Sequence, residues 1–357
     1  MDAFSLSSIL KLLLLACLIG IGMRWRNQSY TISLVLIGLL GAATQIIPPV
    51  SLTHFVAFYL ILPPILFQGG LNLKLEHLRK DWLLIAFLAV PGVIVSTVLV
   101  GYPLAYFWHI PLTYALLFGA LIAPTDPVSV LAILKKIKAP DRLRTVLEAE
   151  SLFNDGTGVV LFAIILSMIQ SNQPLNVSHA LVQFLIVAGG GALVGALCGF
   201  VITALMKPLQ DHLLQVVLTV ILTFGTPLLA DALHCSGLIA VIVAGLVMGK
   251  TRMSLPVKNR ETIESFWETI DFIMNSLVFL IIGLQLQIIG THNLIELKNF
   301  ILIGIFIVLL SRIFIVYPSV FFHNLFPQLP LPSSWNHILF WGGLRGTIPM
   351  LLALQLP

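Results

Sequence analysis

The sequence predicts an all-α polytopic membrane protein in which two of the membrane-crossing helices are broken. Three observations carry this. Of 357 residues, 58% are hydrophobic and only 10% charged, with a mean hydropathy of +1.03, whereas a soluble domain has about 25% charged residues. Apolar runs recur at the length needed to cross a hydrocarbon core of about 30 Å, about 20 residues at 1.5 Å rise each. Two of those runs are interrupted by Pro or Gly beside a charge, "APTDP" at 123–127 and "GGLRG" at 342–346.

Reading the runs in order gives spans 5–23, 31–48, 53–72, 82–108, 112–134, 145–170, 179–206, 213–233, 236–250, 265–289, 299–322 and 336–357. The first could be mistaken for a signal peptide. Its basic residues, Arg24 and Arg26, follow the apolar stretch and none leads it, so it is expected to be a retained helix. All but four of the 19 Lys and Arg residues, Lys11, Lys298, Arg312 and Arg345, lie at loops after odd-numbered spans. The positive-inside rule therefore puts those loops in the cytoplasm and the N-terminus outside. The last span stops inside an apolar run, "GTIPMLLALQLP", which reads as a truncation.

Neither the net charge of +4 nor the cysteines indicate a further function. The charges report topology and implicate membrane lipid, not nucleic acid; the basic stretch "KKIKAPDRLR" is a loop suited to anionic head groups. Cys17, Cys198 and Cys235 lack zinc-ligand spacing and read as small apolar residues.

Ionisable residues inside spans cost roughly 2.5 to 3.5 kcal/mol each at the helix centre, so each one needs a reason. The deep ones are Asp126, Glu150, Asp155, Arg312 and Arg345; Asp231, Glu268 and Asp271 lie nearer span ends. In the fifth span, Pro124 and Pro127 disfavour helix at Ala123 and Asp126. The backbone should unwind there and free carbonyls such as that of Thr125 to coordinate a hard cation. A plain proline kink is the alternative, but a lipid-facing kink has no use for a carboxylate.

The sixth span contains "ESLFNDGTGVVLF". At about 100° per residue, Ser151 and Asp155 share one face, while Glu150 and Asn154 share another. One face offers a hydroxyl and a carboxylate as oxygen ligands; the other offers an acid and an amide to a structural partner. In the twelfth span, Arg345 keeps its charge and needs a buried acid, and its glycines and Pro349 suggest a second interrupted helix. Arg312, mid-span, makes the same demand. Snorkelling to an interface is the alternative for both arginines.

The positions of the two breaks suggest a repeat. With spans one to six (about 5–170) as one unit, span seven (about 179–206) as a linker and the remainder (about 213–357) as a second unit, broken span five corresponds to broken span twelve. Paired interruptions at matching positions point to the midplane site of a secondary transporter. The partner of span six would be a thirteenth helix beyond this chain's end.

Together, "PTDP", "ESLFNDGTGVVLF" and "GGLRG", in this order and on these spans, resemble the monovalent cation:proton antiporter family of the NhaP and Na+/H+ exchanger type. The resemblance implies an inverted-repeat antiporter fold of 13 helices in a single transmembrane domain, with two broken crossing helices, of which 12 are visible here. It implies electroneutral exchange of Na+ or Li+, with K+ as a further candidate, for H+ by alternating access, in a homodimer, with no cofactor and no enzymatic reaction. Asp155 matches the ion-binding, proton-carrying aspartate. Asn154 matches the neutral partner of electroneutral members. Thr125, Asp126 and Ser151 match residues that ligate the ion or shape its site. Glu150 matches the acid paired with the arginine found here as Arg345, and Arg312 matches the arginine of the preceding helix.

Gln68 departs from the pattern, since many relatives carry an acid there. The lack of targeting features points to a prokaryotic inner membrane. A cation channel and a transport-inactive sensor or fragment are the competing functions; a few isolated deep acids, in place of a carbonyl or acid ring, argue against the channel. Gly191, Gly195 and Gly199 line one face of span seven and suit close helix packing or a dimer contact. Histidines such as His109, His212 and His323 near span ends read as interfacial. Glu268, Asp271, Asn275 and Asp231 are read as ambiguous and left outside the core site.

Overall fold

In the computed structural model, residues 6–26, 30–44, 53–172, 176–253, 255–285, 298–325, 330–353 and 356 are described. Among them the only regular structure is helical. Helices α1 (Leu6–Arg26) and α2 (Tyr30–Ala43) are followed by a π-helical turn, Val56–Ile61, that runs into α3 (Leu62–Asn72). The widened turn has a local cause: Pro63 and Pro64 supply no N–H to the carbonyls one turn before them. After a short α4 (Leu75–Lys80), the span expected over 82–108 divides at Val90 into α5 (Trp82–Ala89) and α6 (Pro91–Trp108), because Pro91 starts a new helix at its first position.

The fifth span is broken where the prolines fall, into α7 (Leu112–Ile122) and α8 (Val128–Lys136). Next come the long α9 (Asp141–Gln170), α10 (Val177–Met206), α11 (His212–Ala232), α12 (Gly237–Arg252) and α13 (Val257–Gln285). Asn176, Asp211 and Ser236 cap α10, α11 and α12 by accepting from His179, Leu213 and Ile239 N–H groups. The chain ends with α14 (Lys298–Asn324) and a second broken pair, α15 (Ser334–Trp341) and α16 (Thr347–Ala353). Helix α9 starts four residues and α13 eight residues before the expected spans, since their polar first turns continue helically beyond the apolar run. The expected span portions 45–48, 286–289, 354–355 and 357 lie outside the described residues. Six helical segments have the length and apolarity to cross a membrane, among them α9, α10 and α14, and shorter apolar helices accompany them.

The main core gathers α3, α9 and α12 around Phe67, Leu147, Val241 and Trp267. A separate cluster joins α1 and α2 to α13. The glycine face of α10 is turned to α12 of the same chain: a Cβ added at Gly191 would lie 2.5 Å from the Ser236 carbonyl, and one at Gly195 would overlap Ala240. Close helix packing, not a contact with a second copy, thus occupies this stripe. At the end of the bundle carrying the basic loops, the fully buried Asp81 accepts two bonds from Arg142, at 2.6 and 2.7 Å, with His323 Nε2 3.4 Å away. His323 therefore faces a buried carboxylate. This cluster fastens the α4–α5 junction to the start of α9 and the end of α14.

Candidate functional site

The two breaks cross. Each interrupted helix leaves backbone groups without helical partners, and at membrane depth those groups must be satisfied by protein or water. Here part of that need is met reciprocally: the Asp126 N–H donates to the Leu344 carbonyl at 2.6 Å. Arg345 Nη1 donates to the carbonyls of Ala123 at 2.5 Å and Pro124 at 3.3 Å. Asp126 also accepts from the Val128 N–H, the first of α8, at 3.0 Å. Gly346 permits the crossing, since a Cβ there would fall on the Asp126 side chain.

Helix α9 runs past the first break and serves it with two faces. Asn154 accepts from the Thr125 N–H at 3.2 Å and donates to Thr125 Oγ1 at 2.7 Å, which fixes Thr125, 2% exposed, against the helix. Ser151 Oγ donates to the Thr125 carbonyl at 2.5 Å. That carbonyl, expected to be free for a cation, is therefore engaged on one lone pair by the hydroxyl expected to be a fellow ligand.

The expected ion pair between Glu150 and Arg345 is replaced by another. Glu150, 1% exposed, accepts from Arg312 Nη1 at 2.5 Å, and Arg312 Nη2 reaches the Leu339 carbonyl at 2.8 Å. The reason is reach. Arg345 sits inside the second break and turns its Nη1 to the carbonyls of the first, whereas Arg312 approaches from α14 onto the Glu150 face of α9. Both arginines are held within the protein, so snorkelling describes neither. Arg312, Arg345 and Asn154 border one void of about 10 Å³.

On the opposite face of α9, Asp155 is half-buried, and among the described residues no hydrogen bond reaches its carboxylate. It lines a cavity of about 320 Å³ together with Thr125, Asp126 and Ser151. Five side chains outside the expected core site share this cavity: Gln68 and Asn72 from α3, Glu148 from α9, and Asp271 and Asn275 from α13. Asn275 donates to Asp271 at 2.9 Å, and Gln68 Oε1 is buried without a hydrogen-bond partner among the described residues. Glu148 had a legible signal, lying two turns before Asp155 on the same helical face. It also lies within electrostatic reach of Arg144, Lys74 and Lys135, so the cavity extends toward the basic loops. Glu268 is not among the cavity's lining residues.

This cavity holds several carboxylates beside unwound backbone, an environment suited to a small cation that has shed part of its water. The sequence profile described as "Sodium/hydrogen exchanger, transmembrane" matches residues 12–357. The chain belongs to this sodium/hydrogen exchanger family. Among relatives of this chain, the Na(+)/H(+) antiporter ApNhaP of Aphanothece halophytica is 36% identical over 335 residues, which cover 93% of this chain and 64% of that protein. The Na(+)/H(+) antiporter NhaP of Pseudomonas aeruginosa is 40% identical over 306 residues, 83% of this chain and 72% of that one. The chain thus spans less than two thirds of the length of the first of these. A solved sodium proton antiporter from Methanocaldococcus jannaschii superimposes with a TM-score of 0.77 at 22% identity, over 97% of this chain and 84% of that one, a likeness of fold.

Proposed function

We propose that the protein is a secondary antiporter of the plasma membrane that exchanges a monovalent cation, Na+ or Li+ with K+ as a further candidate, for H+. The observation that carries this reading is the Asp155 carboxylate, facing a polar cavity with no hydrogen-bonding partner among the described residues. Such a group can hold a proton or a partly dehydrated cation but hardly both, because protonation removes the charge that attracts the cation. Exchange is then competition at one site, and coupling comes from the cost of moving an empty, charged site across the bilayer.

In this reading Asp126 and Ser151 assist Asp155. Thr125 and Asn154 hold the break in shape, and the Glu150–Arg312 pair, with Arg345 on the break's carbonyls, keeps the crossing rigid. Asn154, neutral beside Asp155, fits an electroneutral exchange of one cation for one proton. The remaining proposals are an inverted repeat of about 5–170 and about 213–357 around a linker at about 179–206, a thirteenth helix outside this chain, an N-terminus outside the cell, and a homodimer.

The test is reconstitution of the chain into liposomes with an imposed pH gradient. Saturable Na+ uptake that follows the gradient, ignores voltage and disappears in Asp155→Asn is expected. Voltage-driven currents at channel rates would instead identify a channel. Undiminished exchange by Asp155→Asn would remove Asp155 from the centre of the mechanism.

A further inference from the structure

A second cavity, of about 360 Å³, lies further along the same two helices that wall the first. Helix α9 borders the first cavity with Glu148, Ser151 and Asp155 and the second with Val159, Ala163 and Ser167. The chain running into and through α3 repeats the pattern, with Gln68 and Asn72 of α3 in the first, and His54, Phe58 and Tyr59, which precede α3, in the second. The two spaces are therefore stacked end to end, and the second faces away from the basic loops. At the level of α9 between these two sets of residues, a Cβ at Gly156, next to Asp155, would lie 2.8 Å from Ile239 and 3.2 Å from Ile242, so the helix is packed tightly against α12 there.

The mouth of the second cavity holds Asp231, exposed, accepting from the Tyr59 hydroxyl at 2.8 Å. Asp231 occupies the last turn of α11, where the negative end of the helix dipole disfavours an acid. Helix stability therefore does not account for it. Tyr59 comes from the π-helical turn before α3, a distortion often found at functional positions.

We propose that this second vestibule is the half of the cation path opposite the basic loops, and that Asp231 is the residue at its mouth that captures the hydrated monovalent cation. The proposal rests on the antiporter reading above. A carboxylate at the mouth of a low-dielectric cleft raises the local cation concentration, so it acts on half-saturation and not on turnover. Tyr59 holds one carboxylate oxygen and leaves the charge in place.

Two measurements on the full chain test this. In oriented proteoliposomes, Asp231→Asn is expected to raise the half-saturating Na+ concentration roughly tenfold when Na+ is presented at the face opposite the basic loops. Half-saturation from the other face and maximal rate should be unchanged, which also reports intact folding. Asp231→Glu should restore the unsubstituted behaviour, and Tyr59→Phe should shift half-saturation by much less. Equal shifts from both faces, or Tyr59→Phe matching Asp231→Asn, would reduce the pair to a structural tether. Second, Cys235 lines this vestibule, so in a Cys17→Ser, Cys198→Ser background an impermeant maleimide should label it from that same face only. Labelling from the basic-loop face would overturn the assignment of the vestibule. Absence of exchange in the unsubstituted protein would sink the antiporter reading instead, so the two failures are distinct.

Discussion

The two broken helices reach a similar outline by opposite chemistry. The break between α7 and α8 is built by prolines, carries an acid, and is held on the α9 side by neutral hydrogen bonds from Asn154 and Ser151, with Arg345 on its Ala123 and Pro124 carbonyls. The break between α15 and α16 is built by glycines, carries Arg345, and leans on a buried ion pair, since Arg312 holds the Leu339 carbonyl with one nitrogen and Glu150 with another. Proline breaks a helix locally by removing donors and crowding the preceding residue. Glycine only permits a break, and what enforces it here is a neighbour: the Arg312 guanidinium fills the space where a side chain at Gly343 would lie. The acid-bearing break should therefore tolerate loss of single hydrogen bonds, whereas the glycine break should depend on its ion pair.

The largest expected effect is at that pair. Glu150→Ala leaves Arg312 buried and uncompensated, and a loss of about 3–5 kcal/mol is expected, measured as thermal unfolding in detergent. Arg312→Ala should be similarly damaging. A double substitution should cost clearly less than the sum of the two, and strict additivity would break the comparison by showing that the pair does not hold the second break as a unit.

An intermediate effect is expected for Asn154→Ala. It strands the buried Thr125 N–H and hydroxyl at the first break, an unsatisfied group costing about 1–3 kcal/mol. Exchange by reconstituted protein should fall with stability, because Thr125 forms the wall beside Asp155. Stability equal to that of Glu150→Ala would show that the two breaks rest on equally strong supports.

Ser151→Ala should matter least to stability, about 0.6 kcal/mol on the scale of membrane hydrogen bonds. It also sharpens the role of the Thr125 carbonyl, which the substitution releases into the cavity. A changed Na+ half-saturation with nearly unchanged unfolding would mark Ser151 and that carbonyl as cation ligands; no change in either would leave Ser151 as packing.

Much of this was legible before any fold was known, and particular residues show why. The break at 123–127 follows from Pro124 and Pro127 acting on their own neighbours. The separation of Ser151 and Asp155 from Glu150 and Asn154 follows from helical geometry alone, and the fold sends the first pair to the cavity and the second to the buried side of α9. Glu148 obeys the same rule. Asp271 and Asn275 do not, because their relation to Asp155 depends on how α13 is placed, which no spacing within a helix encodes.

Composition and local stereochemistry by themselves determined that the chain crosses a membrane many times, that two of its helices are interrupted, and which acids are deep enough to need an explanation. These are properties of a segment and its solvent. The tertiary structure alone decided that Arg312 and not Arg345 makes the direct ion pair with Glu150, that Ser151 occupies the Thr125 carbonyl, and that the glycine face of α10 is spent on α12. Two arginines and one acid admit either pairing in sequence, because long-range electrostatics depends on distance between helices, and only packing sets that distance.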